Sequence, residues 1–345
     1  MSFKFWSKFF FYSVLAFFFF STLLNYIVNP YVIFDHKLFA SFLMKKEHIL
    51  SSRTAAFYEA RRADPKNLMM GTSNIGLLPS AQVDKYLGES TFNMAIAGSN
   101  IEEQSQYLLY MINNSNIKNI IWSLDFFSFN PDLPTDKSFN YNRLTSSFLL
   151  NDDYNTALFS LQATQNSLKT LLDNLNKSND CTPYQYRSAI PLKEVDHTKE
   201  MIEEKTRLLL KLYPETLVKN KVFDQPSSIT DNLKRVKEVV DLCNKKNINL
   251  YLYTPPIGDT YLDLHKDLRL EKTFSAWKQG LSKITSYTDF STYNSISKDP
   301  YNFVDGIHIM PNFGELIFAK IFHDPSVDVP SDFGTYVPKD SQRTP

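Results

Sequence analysis

Lys66-Asn67-Leu68-Met69-Met70-Gly71-Thr72-Ser73-Asn74 decides how this chain reads. A short apolar run stops abruptly in small and polar residues. That is the pattern of a buried strand feeding a tight turn, because Gly and Asn tolerate backbone angles that larger residues resist. Such a turn lifts the Ser73 hydroxyl out of the sheet. Taken alone, the same residues also fit a serine that only caps the next turn, so the meaning of Ser73 depends on what the rest of the chain brings to it.

Working outward, Phe92 to Asn100 reads as a second short strand ending in a small-residue turn at Gly98. Either Ser99 with Glu102 or Asn100 with Glu103 makes a capping box, and Ile101, Leu108, Leu109 and Ile112 continue it at helical spacing. Ile117 to Asp125 supplies a third strand, again ending in a polar group. Further on, an amphipathic helix over Ser228–Lys246 feeds an alternating strand at Ile248–Tyr253, followed by Thr254-Pro255-Pro256. A single helix over Tyr261–Ile284 and a last strand at Tyr287–Phe290 come next. Phe303 to Pro311 then leads into an apolar helix from Asn312 to Phe322, with Pro311 suited to its first turn. Strands alternating with helices predict an α/β fold with a parallel sheet and helices on both faces.

Other segments fall outside that alternation. Residues 126–225 carry long polar-apolar stretches, Tyr154–Leu175 and His197–Tyr213 among them, and predict a helical insertion capping the strand ends. Residues 29–65 read as a helical connector, with a charged cluster from Lys45 to His48 and a basic Arg61-Arg62 end. The tail at 325–345 carries Pro325, Pro330, Pro338 and Pro345 among polar residues and is expected to be flexible.

The amino terminus reads differently again. Residues 9–28 contain no charge, and as a helix they span about 30 Å, the thickness of a bilayer core. Lys4 and Lys8 precede the run and the first acidic residue after it is Asp35. The bias predicts a cytoplasmic stretch over 1–8, a transmembrane anchor, and a carboxyl-terminal domain outside the cytoplasm, at the periplasm or cell surface. The run is longer than a signal-peptide core and meets no small-x-small site, which favours an uncleaved anchor.

The 345 residues are 43% hydrophobic and 21% charged, an ordinary globular balance, and Lys plus Arg equals Asp plus Glu at 37 each. Nothing in that charge points to nucleic acid. Cys181 and Cys243 lack metal spacing, although one bridge between them is allowed outside the cytoplasm. No His or carboxylate cluster has metal-ligand spacing, and no cofactor is expected.

A serine becomes a nucleophile when an imidazole takes its proton and a carboxylate fixes the imidazole tautomer. Asp305 and His308 stand three apart in a loop leading into a helix, a separation that lets the carboxylate fold back onto one ring nitrogen while the other faces Ser73. His36, His48, His197, His265 and His323 have no comparable setting. Backbone N–H groups at Ser73 and Gly98 suit a developing oxyanion.

Together, Gly71-Thr72-Ser73-Asn74, Asn93–Asn100 with Gly98, the strand ending at Asp125, and Asp305-Gly306-Ile307-His308 resemble the blocks of the SGNH (GDSL-type) hydrolase superfamily, in the family's order. The resemblance covers roughly residues 66–125 and 227–323 of a domain at 66–324. It implies a three-layer α/β/α, flavodoxin-like fold, with Ser73 as nucleophile, His308 as base and then acid, and Asp305 as its orienting carboxylate. The anchor, the Gly-Thr-Ser turn and the Pro-Pro strand end look closest to membrane-tethered relatives acting on cell-envelope polymers, such as the teichoic acid D-alanylation protein and alginate O-acetyltransferases. What this implies is an O-acyltransferase or esterase with a glycan or acylated polymer as substrate, and a membrane-bound acyltransferase as a partner. One position departs from the family, which commonly has an oxyanion-donating Asn where this chain has Asp125. Either Asp125 is protonated, or Asn100 or Asn74 donates instead, or the match is displaced, or catalysis is impaired; alternatively Asp125 and Asn74 contact substrate, or Asp125 binds loop amides. A scaffold that binds without turnover is the rival reading.

Overall fold

The apolar run before Gly71 is a strand in a computed structural model of the chain, which describes residues 3–36, 38, 52–145, 152–176, 198–218 and 223–340. Cys181, His197 and the cluster from Lys45 to His48 lie outside the described residues, and Cys243 is a buried free thiol. From the amino terminus the elements are α1 (Phe3–Val28), α2 (Ser52–Ala63), β1 (Asn67–Met70), the single-turn α3 (Ser73–Gly76), α4 (Ala81–Leu87), β2 (Thr91–Asn93), α5 (Ile101–Asn114) and β3 (Asn119–Ser123). There follow α6 (Asn142–Thr145), α7 (Asp152–Phe159), α8 (Leu161–Leu175), α9 (Lys199–Val218), α10 (Thr230–Lys246), β4 (Asn249–Thr254), α11 (Asp259–Asp267), α12 (Glu271–Ile284), β5 (Tyr287–Asp289), α13 (Gly314–Phe322) and β6 (Thr335–Val337). These fall into two compact units, one drawn from Met1–Arg62 with Lys137–Tyr186 and the other from Ala63–Asp136 with Arg187–Pro345.

The larger unit is built on a six-stranded sheet in the order β2-β1-β3-β4-β5-β6. The first five strands are parallel, with Leu68 beside Phe92, Met70 beside Trp122, Ser123 beside Tyr253 and Thr254 beside Asp289. Central strands covered on both faces need apolar side chains in succession, which is why Leu68, Met69, Met70, Ile120, Ile121 and Trp122 are all fully buried. Parallel pairing also puts every strand's carboxyl end at one edge, where α/β sheets bind ligands. The Ser73 turn, the Gly98 turn, Asp125, Pro255 and Ser291 all follow strands there.

Against one part of the sheet α13 places Ile317, Phe318 and Ile321 in a cluster with Met69, Tyr253, Phe290, Phe303 and Phe333. Elsewhere α5 packs on α10, with Tyr107, Leu108 and Met111 of one helix and Val236, Val239 and Val240 of the other all buried.

Three expectations need correction. The tail is not loose throughout: β6 pairs antiparallel with β5, Thr288 beside Tyr336, and Phe333 is fully buried. The sheet is therefore mostly rather than wholly parallel. A Pro-rich polar composition hid a strand because an edge strand needs only backbone groups and one anchoring ring. The helix expected over Tyr261–Ile284 is two, α11 and α12, separated where Arg269 takes φ +59°. The insertion at 126–225 is not one cap either, since α6, α7 and α8 belong to the smaller unit and α9 to the unit holding the sheet.

In the smaller unit α1 is long and apolar enough to cross a membrane, and α7 and α8 pack on it. Arg143 is buried there and bonds Asp153 through Nε at 2.6 Å and, through Nη2, Thr54 Oγ1 at 2.7 Å and the Ser138 carbonyl at 3.0 Å.

Candidate active site

Gly71 ends β1 with φ +147°, and a Cβ there would lie 2.8 Å from the Ser123 carbonyl oxygen at the end of β3. Only glycine lets the strand turn so close to its neighbour. Thr72 then caps α3, its hydroxyl accepting from the Asn74 N–H at 3.3 Å, and Ser73 stands first in that turn.

The Ser73 hydroxyl lies 2.7 Å from His308 Nε2, and His308 Nδ1 lies 2.7 and 2.9 Å from the two oxygens of Asp305. A carboxylate only accepts, so Nδ1 carries the ring proton and Nε2 is left to accept from Ser73. Asp305 Oδ1 also accepts the backbone N–H groups of Ile307 at 3.3 Å and His308 at 3.0 Å. Burial works against ionising Asp305, but the hydrogen bonds and charge of His308 and these two N–H groups outweigh it and hold its pKa below the usual carboxylate value. His308 and Asp305 keep 19% and 16% of their side-chain surface exposed, enough for a reacting group to reach the ring.

The loop carrying the histidine is held by main chain. Val304 N–H donates to the His308 carbonyl at 2.7 Å, and Gly258 N–H donates to the Gly306 carbonyl at 2.8 Å. Gly306 takes φ +83°, and a Cβ on Gly258 would meet the Gly306 oxygen at 2.8 Å.

Asp125 sits behind the nucleophile, buried. Its Oδ2 accepts from the Thr72 hydroxyl at 2.9 Å and its Oδ1 from the Asn74 side-chain amide. Desolvation pushes its pKa up to about 6, against the opposing hydrogen bonds of Asn74 and Thr72 and the charge of His308. Asp125 and Asn74 are therefore bonded to each other, as the loop-binding alternative had it. Asn100 is engaged at both ends of its side chain, with one amide N–H left over. Its side-chain oxygen caps α5 through the Glu103 N–H at 2.9 Å, and its amide donates to the Leu133 carbonyl at 3.1 Å. Gly98 lies in an exposed turn at φ +64°, with open space where a Cβ would be. Among the described residues the N–H groups of Ser73 and Gly98 take no acceptor.

A small cavity lies on the Asn74 side of the turn, lined by Asn74, Asp125, Tyr213, Tyr261, His265 and Ile307 among others. The space open to the centre of a water-sized sphere is about 20 Å³, room for one water. Asn74 Oδ1, Tyr261 Oη and His265 Nδ1 are buried there without a partner among the described residues. Burial lowers the His265 pKa to about 4, with Lys278 adding to the effect, and raises that of Tyr213 well above the usual value, as do the charges of Asp125 and Asp305.

Thr72, Tyr213, Tyr261 and His265 were not legible as site residues. Thr72 stood inside the Gly-Thr-Ser turn and its polar side chain was the available signal; the other three belong to helices whose local sequence says nothing about the sheet edge they reach. Among the described residues no three His, Cys, Asp or Glu side chains gather as metal ligands. The geometry as a whole is that of a hydroxyl poised for proton transfer to an oriented imidazole, with the Ser73 and Gly98 N–H groups unclaimed among the described residues. No protein-family model matches this chain, and no curated protein matches its sequence at a significant level.

Proposed function

We propose that this chain is a membrane-anchored serine acyl-transfer enzyme of the SGNH type, an O-acyltransferase or esterase acting outside the cytoplasm on a cell-envelope polysaccharide or related polymer. The observation that carries this reading is the unbroken chain from Ser73 through His308 to Asp305, with contacts of 2.7 Å on either side of the ring. Two further features support it. The order β2-β1-β3-β4-β5 is that of flavodoxin-like sheets, and the acid–base pair enters from the loop before the last long helix, as the family's blocks require.

In this mechanism the Ser73 oxygen attacks an ester carbonyl as His308 Nε2 takes its proton. Asp305 holds the imidazole in the required tautomer and stabilises the imidazolium. The Ser73 and Gly98 N–H groups meet the oxyanion, and no side-chain amide is needed. His308 returns the proton to the departing alkoxide, leaving an acyl-serine. Water or a sugar hydroxyl, deprotonated by the same imidazole, then removes the acyl group. A serine-reactive phosphonate should label the unaltered protein and leave Ser73→Ala unlabelled; equal labelling of both rejects Ser73 as nucleophile.

One observation favours a second reading. A buried carboxylate stands where the family commonly has a donor amide, which fits a scaffold that binds envelope polymer or assembles its modifying machinery without turnover. That reading wins if Ser73→Ala and His308→Ala preserve a cellular function that deletion abolishes.

A further inference from the structure

In the smaller unit α8 is built inside out. With about 100° of rotation per residue, Leu161, Leu168, Leu172 and Leu175 fall within about 60° of arc, and they are 68%, 50%, 57% and 76% exposed. The opposite side, carrying Ala163, Asn166, Ser167 and Thr170, is the buried one. A helix on a water-soluble body turns its apolar stripe inward. This one packs small and polar residues and leaves its leucines outside.

What the polar side meets is α1. Asn25, fully buried in that helix, donates to the Leu158 carbonyl at 3.0 Å and to Thr164 Oγ1 at 3.1 Å, and accepts from the Ser167 hydroxyl at 3.0 Å. Asn166 donates to the Tyr31 hydroxyl at 2.9 Å. Small residues and interhelical hydrogen bonds are how helices associate when lipid surrounds them, because burying leucine offers no gain there.

Depth along α1 points the same way. Phe18 stacks on Phe159 at the α7–α8 corner, ring centres 5.5 Å apart. From Phe9, where the uncharged run begins, to Phe18 is about 14 Å of helix, and from Phe3, with Lys4 and Lys8 included, about 22 Å. A hydrocarbon core needs about 30 Å. A span formed only by the part of α1 above Phe18 is too short.

We infer that the α7–α8 hairpin enters the bilayer beside α1, its leucine stripe against lipid acyl chains. The inference rests on reading α1 as membrane-spanning. The stripe lies on the side of α8 away from α1, and α1 is itself exposed from Phe3 to Phe20, so lipid surrounding the pair covers both.

The test uses the full-length chain, one copy per nanodisc, in phosphatidylcholine and phosphatidylglycerol. Photolysis of a phospholipid with a diazirine in its acyl chain, followed by peptide mapping, should give adducts on α1 and on Leu161–Leu175. Adducts on α1 alone overturn the hairpin inference and leave the anchor standing, whereas none on α1 removes the anchor reading and this inference with it. A nitroxide on Leu168→Cys or on Leu172→Cys should collide with oxygen as often as one on Phe17→Cys, with loss of collisions with a water-soluble nickel chelate. Free access to nickel means the stripe faces water, and exclusion of both agents means protein covers it; either result overturns the inference.

Discussion

Thr72 donates its hydroxyl to Asp125 at 2.9 Å, and Asn74, on the far side of the nucleophile, donates its amide to the same carboxylate. The residues flanking Ser73 in the chain are thus tied to one group at the end of β3, and the position of Ser73 follows from theirs. Asp125 acts on the nucleophile by holding its neighbours.

Removing that group leaves a buried hydroxyl and a buried amide without acceptors. Asp125→Ala should therefore destabilise the fold by about 2–6 kcal/mol, at roughly 1–3 kcal/mol per orphaned donor, and slow phosphonate labelling of Ser73. Asp125→Asn keeps the shape and one acceptor oxygen and should cost less. Urea unfolding of the three proteins gives the ranking, and an undiminished Ala variant refutes the role.

The same carboxylate makes stability depend on pH. Folded, Asp125 holds its proton up to about pH 6; unfolded, it releases it near about 3.9. Between these values the folded state binds more protons, so stability falls as pH rises through the window. Asp305 has the opposite sense, since its lowered pKa contributes stability that is present above the ordinary carboxylate value and lost as pH falls below it. Measured against Asp125→Asn at each pH, the unaltered protein should lose about 2 kcal/mol between about pH 4 and about pH 7. A difference that stays flat over this range contradicts the burial argument.

Asp305→Asn separates orientation from folding. An amide oxygen can still accept the Ile307 and His308 N–H groups, but its NH₂ turned toward Nδ1 favours the tautomer with the proton on Nε2. Labelling should fall by about 10⁴-fold with little change in melting temperature, the size that the wrong tautomer costs in a serine triad. His308→Ala should fall at least as far. Retained labelling in either variant rejects the proposed base.

Gly71→Ala places a methyl 2.8 Å from the Ser123 oxygen at a backbone angle that L side chains rarely adopt. The strain and the clash together should cost more than about 1–3 kcal/mol and displace Ser73, so circular dichroism melting and labelling should fall together. Gly98→Ala meets no atom but stands at φ +64°, so it should cost only the left-handed backbone strain of about 1–2 kcal/mol.

Phe333→Ala tests the carboxyl-terminal packing. The ring is fully buried and its centre lies 4.9 Å from that of Phe290, so truncation should cost about 3–5 kcal/mol. A variant as stable as the parent means that β6 does not hold.

Much of the sheet was legible because buried parallel strands are continuous apolar runs, as at Leu68–Met70 and Ile120–Trp122, and because Gly71 and Pro311 punctuate them. Ser73, Asp305 and His308 were readable as types and spacing, but their meeting across 235 positions is a property of strand order. Arg269 hid a helix break, since Leu268-Arg269-Leu270 carries no glycine or proline to mark it. For Asn100 the sequence left open whether the side chain caps a helix or serves a site, and the structure shows the cap, with the amide also bonded to the Leu133 carbonyl. The division of residues 126–225 between two units was illegible for a related reason: helical periodicity gives a face and not the surface that covers it.

The contact of Gly258 with Gly306 has an evolutionary corollary. Two bare backbones touching carry no side-chain identity, so the register between the β4 exit and the base-bearing segment is indifferent to most mutations around it. Homologues are expected to keep glycine at both positions, since a Cβ on Gly258 would meet the Gly306 oxygen at 2.8 Å and Gly306 takes φ +83°.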